Sequence, residues 1–207
     1  MSRPLLITDC DEVLLHMLVH FGEWLDEAHG FDLRLDSERL SEAIRDRSTG
    51  APVAAERIWP LLDSFFVGEM HRQNVVPGAI EALRTLGDEA EIVILTNIGD
   101  EHQAGRIEQL ARFDIHHRVL CNRGGKGRPV VELLEELKPS AAVFVDDLAV
   151  HHESVAKHAP GVWRLHMIAE PKVAAFMPAA PHAHARIDTW ADAVPWIRER
   201  FAEGPPG

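Results

Sequence analysis

The alternation of short apolar runs with amphipathic helical segments along residues 78–201 constrains the fold more than any other feature. Apolar residues three or four positions apart indicate a helix, whereas a short apolar run between turn residues indicates a buried strand. The pattern predicts helices over residues 78–87, 100–112, 129–138, 149–158 and 189–201, and strands over residues 91–96, 118–121, 141–145 and 162–167. Such alternation predicts an α/β fold in which a Rossmann-like parallel sheet carries helices on both faces.

One more strand and a long insertion precede this alternating part. Residues 5–8 form an apolar run near the N-terminus and predict the first strand of the sheet. Residues 14–72 then show helical patterning only. We therefore predict a core domain made of residues 1–15 and 76–207, and a small all-helical domain of residues 16–75 inserted after the first strand.

Individual residues predict details of the insertion. Asp36-Ser37 is a candidate helix N-cap, because short polar side chains accept hydrogen bonds from the free N–H groups of a first turn. Pro60 is predicted to kink or divide the last helix, because proline lacks an N–H donor. Trp24 and Trp59 are expected in the apolar core of the insertion rather than in substrate recognition.

Composition and charge exclude several classes of protein. The chain has 207 residues, 46% of them hydrophobic, which is enough to bury a full core. It contains no run of about 20 apolar residues, so we expect no membrane partner and a cytoplasmic protein. The net charge of -12, with no basic block, disfavours binding to nucleic acid. Cys10 and Cys121 are too few for a disulfide framework.

Polar residues follow three of the predicted strands. Asp9 and Asp11 come after the first strand, and residues two positions apart on an extended chain project to the same side. The other polar residues of this kind are Thr96, which ends the second strand, Asn97 directly after it, and Asp146 and Asp147 after the fourth strand. Lys126 precedes a predicted helix near the same edge. Ligands of open parallel sheets bind outside the carboxyl ends of the strands, so we expect one site there.

In their order and spacing, these residues resemble the motifs of the haloacid dehalogenase-like (HAD-like) hydrolase superfamily. The four matching motifs are Asp9-Cys10-Asp11, Thr96 followed by Asn97, Lys126 with Pro129 three positions later, and Asp146-Asp147. The resemblance covers nearly the whole chain and implies a HAD-like core. It also implies that the insertion is a helical cap of the C1 type, with the segment 76–83 returning the chain to the core.

The resemblance further implies a Mg²⁺-dependent phosphatase that acts on a small phosphorylated metabolite. Asp9 would be the nucleophile that forms an aspartyl-phosphate, and Asp11 would protonate the leaving oxygen and later activate water. Thr96, Asn97 and Lys126 would bind the phosphate group. Mg²⁺ would be held by Asp9, by the backbone carbonyl of Asp11 and by Asp146, with Asp147 in support.

Electrostatics explains why such a site needs cations. A carboxylate that approaches a phosphate dianion meets a repulsion of roughly 4 kcal/mol for each pair of unit charges, at a separation near 4 Å and an effective dielectric constant near 20. A divalent cation and the ammonium of Lys126 would both reduce this repulsion. The thirteen histidines, by contrast, lack a convergent set of ligands for zinc and are expected mainly at the surface.

The chain departs from the family pattern directly after the second aspartate. Glu12 and Val13 stand where many members have glycine followed by threonine or valine. We expect Glu12 either to adopt an unusual backbone turn at some cost or to reshape the loop. Asp11 argues against a dehalogenase, because halide leaves without a proton. A phosphomutase of the same capped type and a catalytically weak phosphometabolite-binding protein remain open alternatives.

Overall fold

The computed structural model describes residues 2–35 and 40–206. Within these residues the chain forms ten strands: β1 (Leu5–Thr8), β2 (Leu15–His16), β3 (Phe31–Leu33), β4 (Ile44–Asp46), β5 (Asn74–Val75), β6 (Glu91–Thr96), β7 (Arg118–Cys121), β8 (Ala142–Asp146), β9 (Trp163–His166) and β10 (Ala185–Arg186). The same residues contain nine α-helices: α1 (Leu18–His29), α2 (Leu40–Ala43), α3 (Ala55–Gly68), α4 (Ala79–Gly87), α5 (Gln103–Ala111), α6 (Gly127–Leu137), α7 (Ala149–His158), α8 (Pro171–Ala174) and α9 (Trp190–Glu203).

Six strands form one sheet in the order β10-β9-β8-β1-β6-β7, and all of its strand pairs are parallel. Because side chains alternate along a strand, Leu6 packs with α4 and α9 on one face, while Leu5 and Ile7 pack with α6 and α7 on the other. Full burial of such side chains contributes about 1.5–3 kcal/mol each. The predicted fold class, a parallel sheet with helices on both faces, is confirmed.

The positions of the main strands agree closely with the sequence pattern. The predicted strands 91–96 and 118–121 coincide with β6 and β7, and the predicted strand 141–145 lies one residue before β8. The predicted strand 162–167 extends one residue beyond β9 at each end. The sequence pattern did not predict β10, a strand of only two residues that pairs with β9 and forms one edge of the sheet.

The prediction of an all-helical insertion is wrong, because β3 and β4 form an antiparallel pair within it. Helix α1 ends at His29, and Gly30 then adopts a left-handed conformation with φ 65°, which turns the chain into β3. Phe31 is buried and Asp32 is exposed, as strand alternation requires. Three residues are too few, however, for such alternation to be distinguished from a helical pattern in the sequence.

The remaining predictions for the insertion have mixed outcomes. Helix α3 runs without division through Pro60, so the predicted break is absent from this helix. The helix persists because Leu61, Leu62 and Phe65 pack in the apolar core of the insertion, which offsets the lost hydrogen bond. Trp24 belongs to that core, as predicted. The candidate cap Asp36-Ser37 lies outside the described residues.

The chain leaves and re-enters the core at one place. Strands β2 and β5 form a short antiparallel pair in which Leu15 lies opposite Val75 and His16 lies opposite Asn74. The two connections of the insertion therefore run side by side, next to the loop that follows β1.

Among residues 2–35 and 40–206, no helix combines the length and the apolar character that a membrane crossing requires.

Candidate active site

The polar residues predicted to share a site lie at the carboxyl ends of three adjacent strands. β1 lies between β6 and β8, and its last residue, Thr8, pairs with Ile94 on one side and Val145 on the other. Asp9 therefore follows the central strand, while Thr96 ends β6 and Asp146 ends β8. The topology of the sheet is thus sufficient to bring these three residues to one edge.

Lys126 joins two of these strand ends. Its Nζ atom lies 2.8 Å from Oδ2 of Asp9 and 2.7 Å from Oδ2 of Asp146, and the side chain is fully buried. Close packing of α6 on α7 holds the lysine there. At Gly127 a Cβ atom would lie 2.3 Å from the carbonyl oxygen of Ser154, so only glycine permits this approach.

Three buried or half-buried carboxylates face one another around this lysine. Asp9, Asp146 and Asp147 each offer an oxygen atom within 4.8 Å of the others. Burial, together with the charge of Asp146, raises the pKa of Asp9 to about 7 despite the nearby lysine. Burial and the charges of Asp146 and Asp9 also raise the pKa of Asp147 well above its usual range.

Asp146 behaves differently from its two neighbours. Burial would raise its pKa, but the ammonium of Lys126 together with His151 and His152 outweighs that effect and holds the pKa below its usual range. Three carboxyl groups thus share a single ammonium, and the raised pKa values of Asp9 and Asp147 indicate that one lysine does not compensate all three negative charges. Hard divalent cations prefer such oxygen ligands, so the donor atoms of this cluster fit Mg²⁺.

The second motif supplies a hydroxyl group and an amide. Thr96 is fully buried, and its Oγ1 atom has no hydrogen-bond partner among the described residues. A buried hydroxyl without a partner is costly, and a bound phosphate oxygen would satisfy it. The amide of Asn97 donates to the carbonyl of Gly124 at 2.8 Å and accepts from Asn122 at 2.9 Å. The Asn97 side chain therefore orders the loop that leads to Lys126.

Asp11 is held by residues that the sequence analysis did not identify. The guanidinium of Arg106 donates to both carboxylate oxygens of Asp11, at 2.9 and 2.8 Å, and Nε2 of Gln73 donates to Oδ1 at 2.6 Å. Arg106 is fully buried in α5. The sequence did indicate that Arg106 is buried, because it lies four positions before Leu110 and therefore on the same, buried face of α5.

Comparison with solved structures places this arrangement in a known fold. Over 97% of the chain and 99% of the other, it superposes with a TM-score of 0.67 and 21% identity on a protein from Burkholderia xenovorans assigned as a haloacid dehalogenase-like hydrolase. A HAD-hydrolase from Bacillus subtilis, solved bound to magnesium, gives a TM-score of 0.64 with 13% identity over 95% of this chain and 99% of the other.

The chain has the haloacid dehalogenase-like fold. The resemblance inferred from the four motifs is thus confirmed for the fold. A protein from Thermotoga maritima assigned as a β-phosphoglucomutase also shares the fold, with a TM-score of 0.62 and 16% identity over 95% of this chain and 99% of the other. No protein-family model and no curated protein matches the sequence.

Glu12, the departure from the usual HAD-like motif, adopts the left-handed turn itself. Its φ is 59°, a conformation that glycine reaches at little cost and that other residues rarely adopt. The side chain is buried, and its Oε1 atom accepts hydrogen bonds from the backbone N–H groups of Met17 and Leu18, at 2.8 and 2.7 Å. Burial raises the pKa of Glu12 to about 7. The carboxylate thus connects the loop after β1 to the start of α1.

Because φ is positive at this position, Glu12→Ala should be less stable than Glu12→Gly by about 1 kcal/mol in the free energy of unfolding. Both variants lose the carboxylate that caps α1, so their difference isolates the cost of the backbone conformation. Urea denaturation followed by circular dichroism measures it. At Ala156, inside α7, the order should reverse, with Ala156→Gly less stable than the alanine parent. Equal stability of the two Glu12 variants would contradict the expectation.

A cavity of about 980 Å³ opens between the insertion and the HAD-like core, and Asp9, Asp11 and Asp147 form part of its lining. Trp59 also lines it and is 75% exposed, so its predicted place in the core of the insertion is wrong. The buried apolar face of α3 is occupied instead by Ile58, Leu61 and Phe65. Trp59 therefore lies on the side of α3 that faces the cavity.

Three further ligand-type side chains meet at the rim of this cavity. Asp63, Glu101 and His102 bring an oxygen or nitrogen atom within 4.8 Å of one another. His102 hydrogen-bonds to Asp63 at 2.9 Å, and Glu101 pairs with Arg123 at 2.5 Å. The hydrogen bond between His102 and Asp63 links α3 of the insertion to the core beside the site.

Proposed function

We propose that this chain is a Mg²⁺-dependent phosphomonoesterase that acts on a small phosphorylated metabolite through an aspartyl-phosphate. The observation that carries the proposal is the buried cluster of Asp9, Asp146 and Asp147 around Lys126, beside the hydroxyl of Thr96 that has no partner among the described residues. An excess of carboxylates next to unused hydrogen-bond donors suits a cation together with an anionic substrate.

Asp9 is the proposed nucleophile. Its Oδ1 atom accepts the N–H of Cys10 at 2.6 Å, which fixes the orientation of the carboxylate. In the first step a carboxylate oxygen bonds to phosphorus while the bond from phosphorus to the leaving oxygen breaks. In the second step water attacks the phosphorus, the aspartyl-phosphate bond breaks, and inorganic phosphate leaves. The two displacements replace one that is more difficult.

The cation and the phosphate-binding groups have separate proposed roles. Asp9, Asp146 and Asp147, with the backbone carbonyl of Asp11, would hold Mg²⁺, which when bound offsets the repulsion between the nucleophile and the phosphate. Lys126 would contribute its fixed positive charge to the same purpose. Thr96 would donate its hydroxyl to a phosphate oxygen, and Asn97 would present its backbone there. Asp11 would transfer protons to and from the reacting oxygens.

The insertion of residues 16–75 is proposed to act as a cap of the C1 type over a core of residues 1–15 and 76–207. The cavity between them supports this division, because it is lined by residues of both parts. A cap excludes bulk water and selects the organic part of the substrate. A phosphomutase of the same fold is a second candidate, favoured by the structural similarity to proteins assigned as β-phosphoglucomutases.

Removal of the cation tests the proposal. Release of phosphate from 4-nitrophenyl phosphate should fall about 100-fold in excess EDTA, equivalent to about 2.7 kcal/mol of transition-state stabilisation, and should recover when Mg²⁺ exceeds the chelator. Malachite green detection of phosphate measures both rates. If no ester in a broad panel of phosphorylated metabolites releases phosphate with Mg²⁺, the proposal fails. Calorimetric binding without turnover would then indicate a binding protein, and a requirement for a sugar bisphosphate would indicate a mutase.

A further inference from the structure

The side of α3 that faces the cavity carries an aromatic ring next to a carboxylate. Trp59 and Asp63 both line the cavity. They are four positions apart in the helix, so they are neighbours on one side of it, with Cβ atoms about 6 Å apart. Both side chains are exposed, and neither belongs to the apolar core of the insertion. Both are therefore accessible to a molecule in the cavity.

The ring of Trp59 can accept a cation from a ligand. The negative face of an indole ring attracts cations more strongly than the face of a phenyl ring. Phe66 also lines the cavity, but the guanidinium of Arg106 already lies 5.6 Å from the centre of its ring. Among the described residues, no arginine or lysine lies over the ring of Trp59 in this way. Trp59 is thus the aromatic ring of this wall that a ligand cation can approach.

Asp63 supplies a negative charge beside that ring. Its Oδ1 atom lies 2.9 Å from Nε2 of His102, and a neutral imidazole can donate this hydrogen bond without cancelling the charge of the carboxylate. No lysine or arginine of the described residues forms an ion pair with Asp63, whereas the neighbouring acid Glu101 pairs with Arg123 at 2.5 Å. A cationic ligand would therefore meet a carboxylate whose charge is not yet balanced.

The arginines of the cavity do not offer a comparable site for an anion. Arg123 pairs with Glu101, and Arg34 lies 3.9 Å from Asp32. A second anionic group on a substrate would thus find both arginines already next to acids. An ammonium group, by contrast, would be attracted by Asp63. The charges of the cavity outside the carboxylate cluster therefore favour a positively charged organic group.

Other parts of the wall are apolar and include Leu18, Ile98 and Met177. Such surface favours a hydrocarbon chain, because its burial removes apolar area from water. We propose that the substrate is a phosphate monoester whose organic part is a hydrocarbon chain that carries an ammonium group, and that Trp59 and Asp63 bind this group. The proposal rests on the proposed phosphatase function and names its substrate class.

Pairs of esters that differ by one charge test the proposal on the intact protein with Mg²⁺. 2-Aminoethyl, 4-aminobutyl and 6-aminohexyl phosphate are compared with propyl, pentyl and heptyl phosphate, in which a methyl group replaces the ammonium. For the chain that spans the cavity best, kcat/KM for the amino ester should exceed that for its neutral partner at least about tenfold. The advantage should shrink in about 1 M salt, because the carboxylate is exposed to solvent and its charge is screened.

Variants of the two residues assign the preference. Asp63→Asn keeps an oxygen that can accept from His102 but loses the charge, so the ratio of amino to neutral ester should fall at least about threefold, chiefly through KM. Asp88→Asn changes the net charge equally at an exposed site and is the control. Trp59→Leu should also lower the ratio at least about threefold, and Trp59→Phe should retain part of it. Val67→Ala, exposed on the same helix, is the control for these two.

The outcomes separate this inference from the proposed function. If no amino ester exceeds its neutral partner at any chain length, the inference is overturned although the chain is a phosphatase. If the amino ester is preferred but the ratio is unchanged in folded Asp63→Asn and Trp59→Leu proteins, the assignment of the binding site to these residues is wrong. If none of the esters releases phosphate, the proposed function itself fails.

Discussion

Replacement of Asp9 by asparagine is expected to lower the rate of phosphate release by at least about 10⁴-fold, the scale of loss when an enzyme is deprived of its nucleophile. An amide oxygen is a poor nucleophile, and it also carries no charge to hold a cation. KM for the residual reaction should change much less, because the proposed phosphate-binding groups of Thr96 and Lys126 are retained. Single-turnover measurements with 4-nitrophenyl phosphate separate the chemical step from binding.

The fold of this variant is expected to remain intact. Burial already raises the pKa of Asp9 to about 7, so the charged form is unfavourable where it lies, and a neutral amide of the same shape relieves that cost. Asp88 is exposed at the end of α4, and Asp88→Asn is the matched control, with full activity expected. Robust turnover by a folded Asp9→Asn protein would show that another group attacks the phosphorus.

Replacement of Lys126 by methionine is expected to lower the free energy of unfolding by about 3–5 kcal/mol in metal-free buffer. The variant keeps roughly the volume of the side chain. It leaves Asp146, whose pKa Lys126 lowers, without its buried counter-charge beside two further carboxyl groups. Phosphate release should also fall sharply, because the fixed charge near the transferred group is lost. Urea denaturation at neutral pH, followed by tryptophan fluorescence, measures the loss of stability.

Added Mg²⁺ should restore part of that stability. A ligand that binds only the folded state at 100 times its dissociation constant contributes about 2.7 kcal/mol. Lys157→Met, at an exposed position in α7, is the control and should alter stability by no more than about 0.5 kcal/mol. A Lys126→Met protein as stable as wild type without metal would show that the ammonium does not balance the carboxylates.

The core of this fold could be predicted from the sequence because its strands are buried on both faces. Residues 92–95 of β6 and 142–145 of β8 are unbroken apolar runs, each followed by a polar residue. Both features can be recognised in the sequence without the structure. The parallel topology then determines that Asp9, Thr96 and Asp146 meet at one edge, since β1 lies between β6 and β8. No detail of side-chain packing was needed for that prediction.

The parts that escaped prediction depend on contacts between distant segments. β3 and β4 have three residues each, and their pairing is decided by the turn at Gly30 and by burial of Phe31, neither of which gives a periodic pattern. The contact of Arg106 with Asp11 spans 95 positions. Only the packing of α5 beside the loop after β1 brings these two residues together, and their spacing in the sequence does not predict this contact.

The short pair of β2 and β5 makes the insertion a self-contained module with abutting ends. Neither strand of this pair belongs to the six-stranded sheet. A segment of different length or architecture could therefore replace the one between Leu15 and Val75 without displacing the strands that carry the carboxylates. If the insertion selects the substrate as proposed, its size and shape can therefore change independently of the strands that position the carboxylates.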